Sequence, residues 1–149
     1  MTNDTFSHAI RMRVVYDDVH LIEIETKLAV PEWSAVSRAY TTPSDVFEQV
    51  ERLRSWCSYR TGEVRIEFGA DTRIGWTCLR FYPIDKAGHV VCQLRLASGH
   101  VPSDGRDEEV SRVSIEMHTE PGLIQRFIAE LRHLAESLEG EAVLQGLAR

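Results

Sequence analysis

The chain lacks most of the features that would place it in a functional class directly. No apolar run approaches the roughly 18–20 residues needed to cross a bilayer, so no transmembrane helix is expected. The opening residues Met1-Thr2-Asn3-Asp4-Thr5 have neither a basic n-region nor an apolar core, so no signal peptide is expected and a cytoplasmic location is anticipated. Cysteine is sparse and odd in number. Cys57, Cys78 and Cys92 have no CxxC spacing and read as reduced thiols, not as a disulfide framework. HExxH is absent, and His20 and Glu23 would point to opposite faces of a strand, so no metal site is expected. Neither GxxxxGK[ST] nor GxGxxG occurs, and Gly62, Gly69, Gly75, Gly88 and Gly105 stand alone as turn residues, so no nucleotide cofactor is expected. GxSxG is missing too, and no hydroxyl or thiol has a recognisable local base. No low-complexity tract and no internal repeat is evident. Lysine is almost absent, with Lys27 and Lys86 against 15 arginines, which reads as coding bias.

What remains is the composition of an ordinary globular chain of 149 residues, 43% hydrophobic and 27% charged, expected to fold as one domain over residues 1–149. The net charge of −6 is unevenly spread. Residues 101–149 carry 10 acidic and 5 basic groups, against 9 and 7 in residues 1–60. A field of that sign disfavours nucleic acid and favours a basic partner.

Periodicity predicts the elements. After a loose terminus over residues 1–7, Ile10, Met12, Val14 and Tyr16 alternate with polar neighbours as a strand, and Asp17-Asp18 turns the chain into a return strand through Ile22 and Ile24. Residues 34–40 form a weaker third strand behind the bend at Pro31-Glu32. Thr42, Pro43 and Asp45 then open a helix by side-chain capping, with Val46, Val50, Leu53 and Cys57 on one face. Strands resume at Val64, Ile66 and Phe68.

The next hairpin can be read down to its register. Asp85-Lys86-Ala87-Gly88 is a turn, and pairing Ile84 with His89 gathers Leu79, Phe81, Val90, Cys92, Leu94 and Leu96 on one face. That register puts Trp76, Cys78, Arg80, Tyr82, Gln93 and Arg95 on the other face. Between the strands of residues 64–68 and 76–82, charge predicts Glu67 opposite Arg80, because the alternative sets Arg65 against Arg80. A long loop over residues 98–109 precedes a last strand with Val113, Ile115 and Met117 inward. Pro121 then opens a second helix with the stripe Ile124, Phe127, Ile128, Leu131, Leu134, Ala135 and Leu138, stopped by Gly140. The tail, residues 141–149, reads as a short docked helix. The expected fold is α+β: a mainly antiparallel sheet of about six to seven strands with two amphipathic helices on one face and the other face open. Trp33 and Trp56 are expected in or at the edge of the core.

Candidate function therefore falls on the open face. Trp76, Arg80, Tyr82 and Arg95 are the residue types that anchor protein interfaces, although a cross-strand ladder without a partner would look the same. Glu116 and His118 share a strand face near Gln93 and Arg95, where a carboxylate–imidazole pair could do acid–base chemistry. Asp104, Asp107, Glu108 and Glu109 would form an acidic rim that steers a basic partner.

Several local strings carry a resemblance. These are Val30-Pro31-Glu32-Trp33-Ser34-Ala35 leading into Thr42-Pro43-Ser44-Asp45-Val46-Phe47, Trp56 at the end of the first helix, Asp85-Lys86-Ala87-Gly88-His89-Val90, and Glu120-Pro121-Gly122-Leu123-Ile124. Over residues 10–138 the chain resembles a small bacterial domain family of unknown function, some of whose members are presumed toxin-immunity proteins. The resemblance implies the same sheet-plus-two-helix fold and a protein-binding role, and it transfers no catalytic residue. The leading expectation is a non-enzymatic domain that binds a basic protein, without a cofactor. The alternatives are a small-ligand or accessory binding domain on the open sheet face, and an enzyme using Glu116 and His118 with Arg95.

Overall fold

A computed structural model describes residues 8–70, 75–98 and 110–148. The expected loose terminus and the acidic residues Asp104, Asp107, Glu108 and Glu109 lie outside the described residues. The order of elements is β1 (Ala9–Asp17), β2 (Ile22–Val30), β3 (Trp33–Thr41), α1 (Pro43–Tyr59), β4 (Val64–Gly69), β5 (Trp76–Pro83), β6 (Val90–Ala97), β7 (Arg112–Thr119), α2 (Pro121–Ser137) and β8 (Ala142–Gln145). The class is α+β with antiparallel strands, as expected. The strands number eight among the described residues, and they divide into two four-stranded sheets, ordered β3-β2-β1-β8 and β4-β5-β6-β7. The tail is the short strand β8 and not a helix. Its Leu144 pairs with Ile10 of β1 and is fully buried.

Both helices begin where the sequence predicts, the first at a side-chain cap and the second at Pro121. Thr42 Oγ1 accepts the Asp45 N–H at 3.1 Å, and Pro43 occupies the first turn, where a missing N–H costs nothing. Both helices end in a left-handed residue, Arg60 or Leu138, whose N–H bonds back to Trp56 or Leu134. Their buried stripes join the inner faces of both sheets in one core, centred on Phe68, Phe81 and Phe127. Trp56 belongs to it, 6.2 Å from the Phe81 ring.

Although no repeat shows in the sequence, the chain folds as two like halves. The run β1-β2-β3-α1-β4 recurs as β5-β6-β7-α2-β8, and each half sends its last strand to the edge of the other half's sheet. The helices match at one constant spacing. Pro43 corresponds to Pro121 and Gly62 to Gly140, and the six buried positions Val46, Gln49, Val50, Leu53, Trp56 and Cys57 correspond to Ile124, Phe127, Ile128, Leu131, Leu134 and Ala135. The two first hairpins also share a device: Asp18 Oδ1 accepts the N–H groups of His20 and Leu21, and Asp85 Oδ1 those of Ala87 and His89. Identity is low because the shared property is burial, not residue type.

The β5–β6 register pairs Arg80 with Gln93 and Ile84 with His89, as the apolar pattern required. Cys78 and Cys92 accordingly point to opposite faces, and all three cysteines are free and buried. Burial raises the pKa of each thiol, most strongly at the fully enclosed Cys92. The β4–β5 register contradicts the charge argument, because Arg65 stands opposite Arg80. The two guanidinium groups avoid each other. Arg65 Nε donates to Cys78 Sγ at 3.4 Å, whereas Arg80 lies 3.2 Å from Glu63 and 4.5 Å above the Tyr82 ring. Glu67 takes the Trp76 indole N–H instead. In β1 a bulge between Val14 and Tyr16 turns Tyr16 outward, away from the inner face expected for it.

On the outer face of the first sheet, Glu25 is 3% exposed beneath Arg13 and Arg38, which bond its two oxygens at 2.9 and 3.0 Å. Burial pushes this carboxyl's pKa up, but the arginine hydrogen bonds and charges outweigh it and hold the group below its ordinary value of 4.5. A depressed pKa adds stability that is present above the unfolded value and lost as pH falls through the folded one. Glu25→Gln is therefore expected to cost about 1 kcal/mol at pH 7, since both arginines are half exposed and screened. In urea titrations the gap from wild type should close as pH falls below 4.5.

Candidate functional site

The residues expected to form the functional face do share one side of the second sheet, but most of them are tied to each other. Gln93 accepts from Arg80 Nη1 at 2.8 Å and lies 3.5 Å from the Ser114 hydroxyl. Arg80 stacks on Tyr82, whose hydroxyl donates to Glu116 Oε2 at 2.5 Å. That bond raises the Tyr82 pKa. Glu116 is thus engaged with Tyr82, and Arg95 lines a separate cleft of about 230 Å³ beside Trp76 and Ser114.

Trp76 is a correction. It lies on the expected side of its strand, but it is only 6% exposed, packed with Cys78, Ala97 and Val110 in a second small cluster. A buried tryptophan cannot anchor a partner, so this end of the face is structural. Trp33 corrects in the opposite direction. Expected in the core, it is 66% exposed at the tip of the β2–β3 hairpin.

Trp33 overhangs the most distinctive opening in the molecule. A groove of about 550 Å³ runs between the hairpin tip (Val30, Pro31, Glu32, Trp33) and β7 (Ile115, Glu116, Met117, His118), with His8, Leu147 and Ala148 at its end. That volume falls within the ~300–1,000 Å³ typical of ligand clefts. It brings together Glu116 and His118, which the sequence singled out, with Trp33 and Glu32, which it did not. The alternation of Ser34-Ala35-Val36 could not have revealed this, because exposure of Trp33 depends on a gap between two sheets.

The groove is where the two halves differ. β3, the counterpart of β7, crosses the second sheet and closes on it. Ser37 Oγ donates to the Ala97 carbonyl at 2.6 Å, and Thr77 and Thr26 meet at 3.4 Å. Ile115 occupies the position equivalent to Ser37 and offers no donor, so the β7 side stays open. A wider cleft of about 750 Å³ lies between α1 and β4, but the β4 main chain beside it is already satisfied by Gln49 and Arg52.

No protein-family model matches the chain, and no curated protein or solved structure matches it either.

Function must therefore be read from geometry. Among the described residues, no helix is long and apolar enough to cross a membrane, and no three His, Cys, Asp or Glu side chains are placed to hold a metal ion.

Proposed function

We propose that this chain is a protein-binding domain whose contact surface is the groove between the β2–β3 hairpin and β7. One observation carries the reading: a tryptophan that is two-thirds exposed overhangs a groove whose other wall is the edge of a sheet. Tryptophan is enriched at interface hot spots because it buries a large rigid area at little entropic cost. The net charge of −6 supports a basic partner, of which a toxin domain is one example, and the resemblance to presumed immunity proteins supports a protein-binding role. A small ligand would also fit the volume, but an open strand edge is a feature that a peptide main chain can use and most small molecules cannot. An enzymatic role has less support, since Glu116 is bonded to Tyr82 and Arg95 lines a different cleft.

The test is a photo-crosslinking amino acid introduced in the native organism at position 33 and, as a control, at position 59, where Tyr59 is also exposed but does not line the groove. A discrete protein adduct at 33 and none at 59 is the expected result. Binding of that partner should weaken at least tenfold in Trp33→Ala, with folding unchanged. Identical adduct patterns at both positions would remove the groove from consideration.

A further inference from the structure

We propose that the groove takes an extended segment of a partner protein as an added strand on β7, and that this segment alternates basic and apolar residues. The inference rests on the protein-binding reading and specifies its chemistry.

The main chain provides the first argument. In an antiparallel ladder the N–H and C=O of one residue point to the same side, and this side switches at every residue. The His118 carbonyl points away from β6, because it accepts the Leu147 N–H at 2.8 Å. The main-chain groups of Glu116 and Ser114 therefore point the same way, and β7 is the last strand of its sheet. Among the described residues no strand lies across from them.

The other edges are handled differently. Gln49 and Arg52 bond the outward groups of β4, Glu130 takes the Val143 N–H of β8 at 2.9 Å, and β3 folds across the second sheet. Uncovered edges invite strand addition, and β4 and β8 are bonded by helix side chains while β3 lies against the second sheet at Ser37. β7 keeps an open stretch at Ser114 and Glu116, and it is the stretch beside Trp33.

The side chains state what would fit. Ile115 and Met117 face inward, where Trp33 and Leu147 complete an apolar wall, and Glu116 faces outward. Glu116 Oε1 has no hydrogen-bond partner among the described residues, and Glu32 stands across the groove. Among the described residues the lining contains two carboxylates and no arginine or lysine. A strand beside β7 would thus set alternate residues against acid and against apolar surface. Main-chain bonds would supply affinity, and this alternation would supply selectivity.

The experiment titrates the 15N-labelled full chain with three capped hexapeptides: Lys-Val repeated three times, Glu-Val repeated three times, and the Lys-Val peptide N-methylated on every residue. The expected result is chemical-shift change at the Ser114 and Glu116 amides with a blue shift of Trp33 fluorescence, at least tenfold tighter for the Lys-Val peptide than for the other two. Glu116→Gln should weaken the Lys-Val peptide severalfold. Equal binding of the N-methylated peptide at the same amides overturns strand addition but leaves a groove that binds protein. Equal binding of the Glu-Val peptide overturns the basic character. No response of β7 or Trp33 to any peptide, while position 33 still crosslinks a protein, overturns the extended-segment mode alone.

Discussion

Gly69→Ala is expected to destabilise the protein by about 3 kcal/mol, through backbone strain together with overpacking. Gly69 has φ +79°, a conformation that L-residues adopt only at a cost. A Cβ there would sit 2.2 Å from the Gly75 carbonyl oxygen and 3.0 Å from Ala39 Cβ. The first contact is with backbone, which cannot swing aside as a side-chain end can. This is the point where β3 passes over the β4–β5 pair, and the Ala70 N–H bonds to the same Gly75 oxygen at 3.1 Å. A methyl group would therefore strain the closure of one sheet on the other as well as the hairpin. Gly62→Ala is the control: its φ of +70° is similar, but nothing lies within 4 Å of where its methyl would sit, so only the conformational cost of about 1 kcal/mol remains. Urea denaturation of both variants separates the terms. Equal losses would mean that the close approach at Gly69 carries no energy.

Gln49→Leu is expected to cost about 2 kcal/mol and to make the protein self-associate. The Gln49 amide donates to the Glu67 carbonyl at 2.6 Å and accepts the Glu67 N–H at 2.5 Å, so one side chain stands in for a neighbouring strand on the edge of β4. Its Nε2 also bonds Asp45 at 2.8 Å, which ties it to the start of the helix. Leucine would fill the space, as Phe127 fills the matching position in α2, but it would leave two main-chain groups without partners. Water reaches this edge in part, which holds the penalty near the value of one unmade bond. Denaturation should show the lost stability, and sedimentation should show association that rises with concentration. A variant that stays monomeric would mean that Arg52, bonded to the Arg65 carbonyl at 2.7 Å, protects the edge alone.

Much of the local structure was legible in the sequence. Capping at Thr42 and the apolar stripes marked both helices, and the β5–β6 register followed from Leu79, Phe81, Cys92 and Leu94 having to share a face. The β4–β5 register was not legible from charge. Arginine side chains are long enough to leave a cross-strand pair, so Arg65 and Arg80 tolerate facing each other by bonding elsewhere. β8 was not legible either, because Val143, Leu144 and Leu147 suit a short helix as well as a strand, and the pairing that decides it comes from the far end of the chain.

The candidate site was half legible. Alternation correctly put Glu116 and His118 on one face, and side-chain type drew attention to Arg80, Tyr82 and Arg95. The exchange of roles between Trp76 and Trp33 was not, because both are tryptophans on strands and periodicity reports only the side of a sheet. Whether that side is covered depends on Val110 in one case and on a gap between two sheets in the other.

By itself, then, the sequence determined the α+β class, both helices with the Thr42 cap of the first, and most strands with their inward faces. These depend on periodicity and capping, which act within a few residues. Only the tertiary structure decided that the strands form two sheets, that each half lends its last strand to the other, and that β7 keeps an open edge beneath Trp33. Those features depend on which edges meet across the core, and edge pairing is set by contacts between residues far apart in the chain, where no local pattern can specify them.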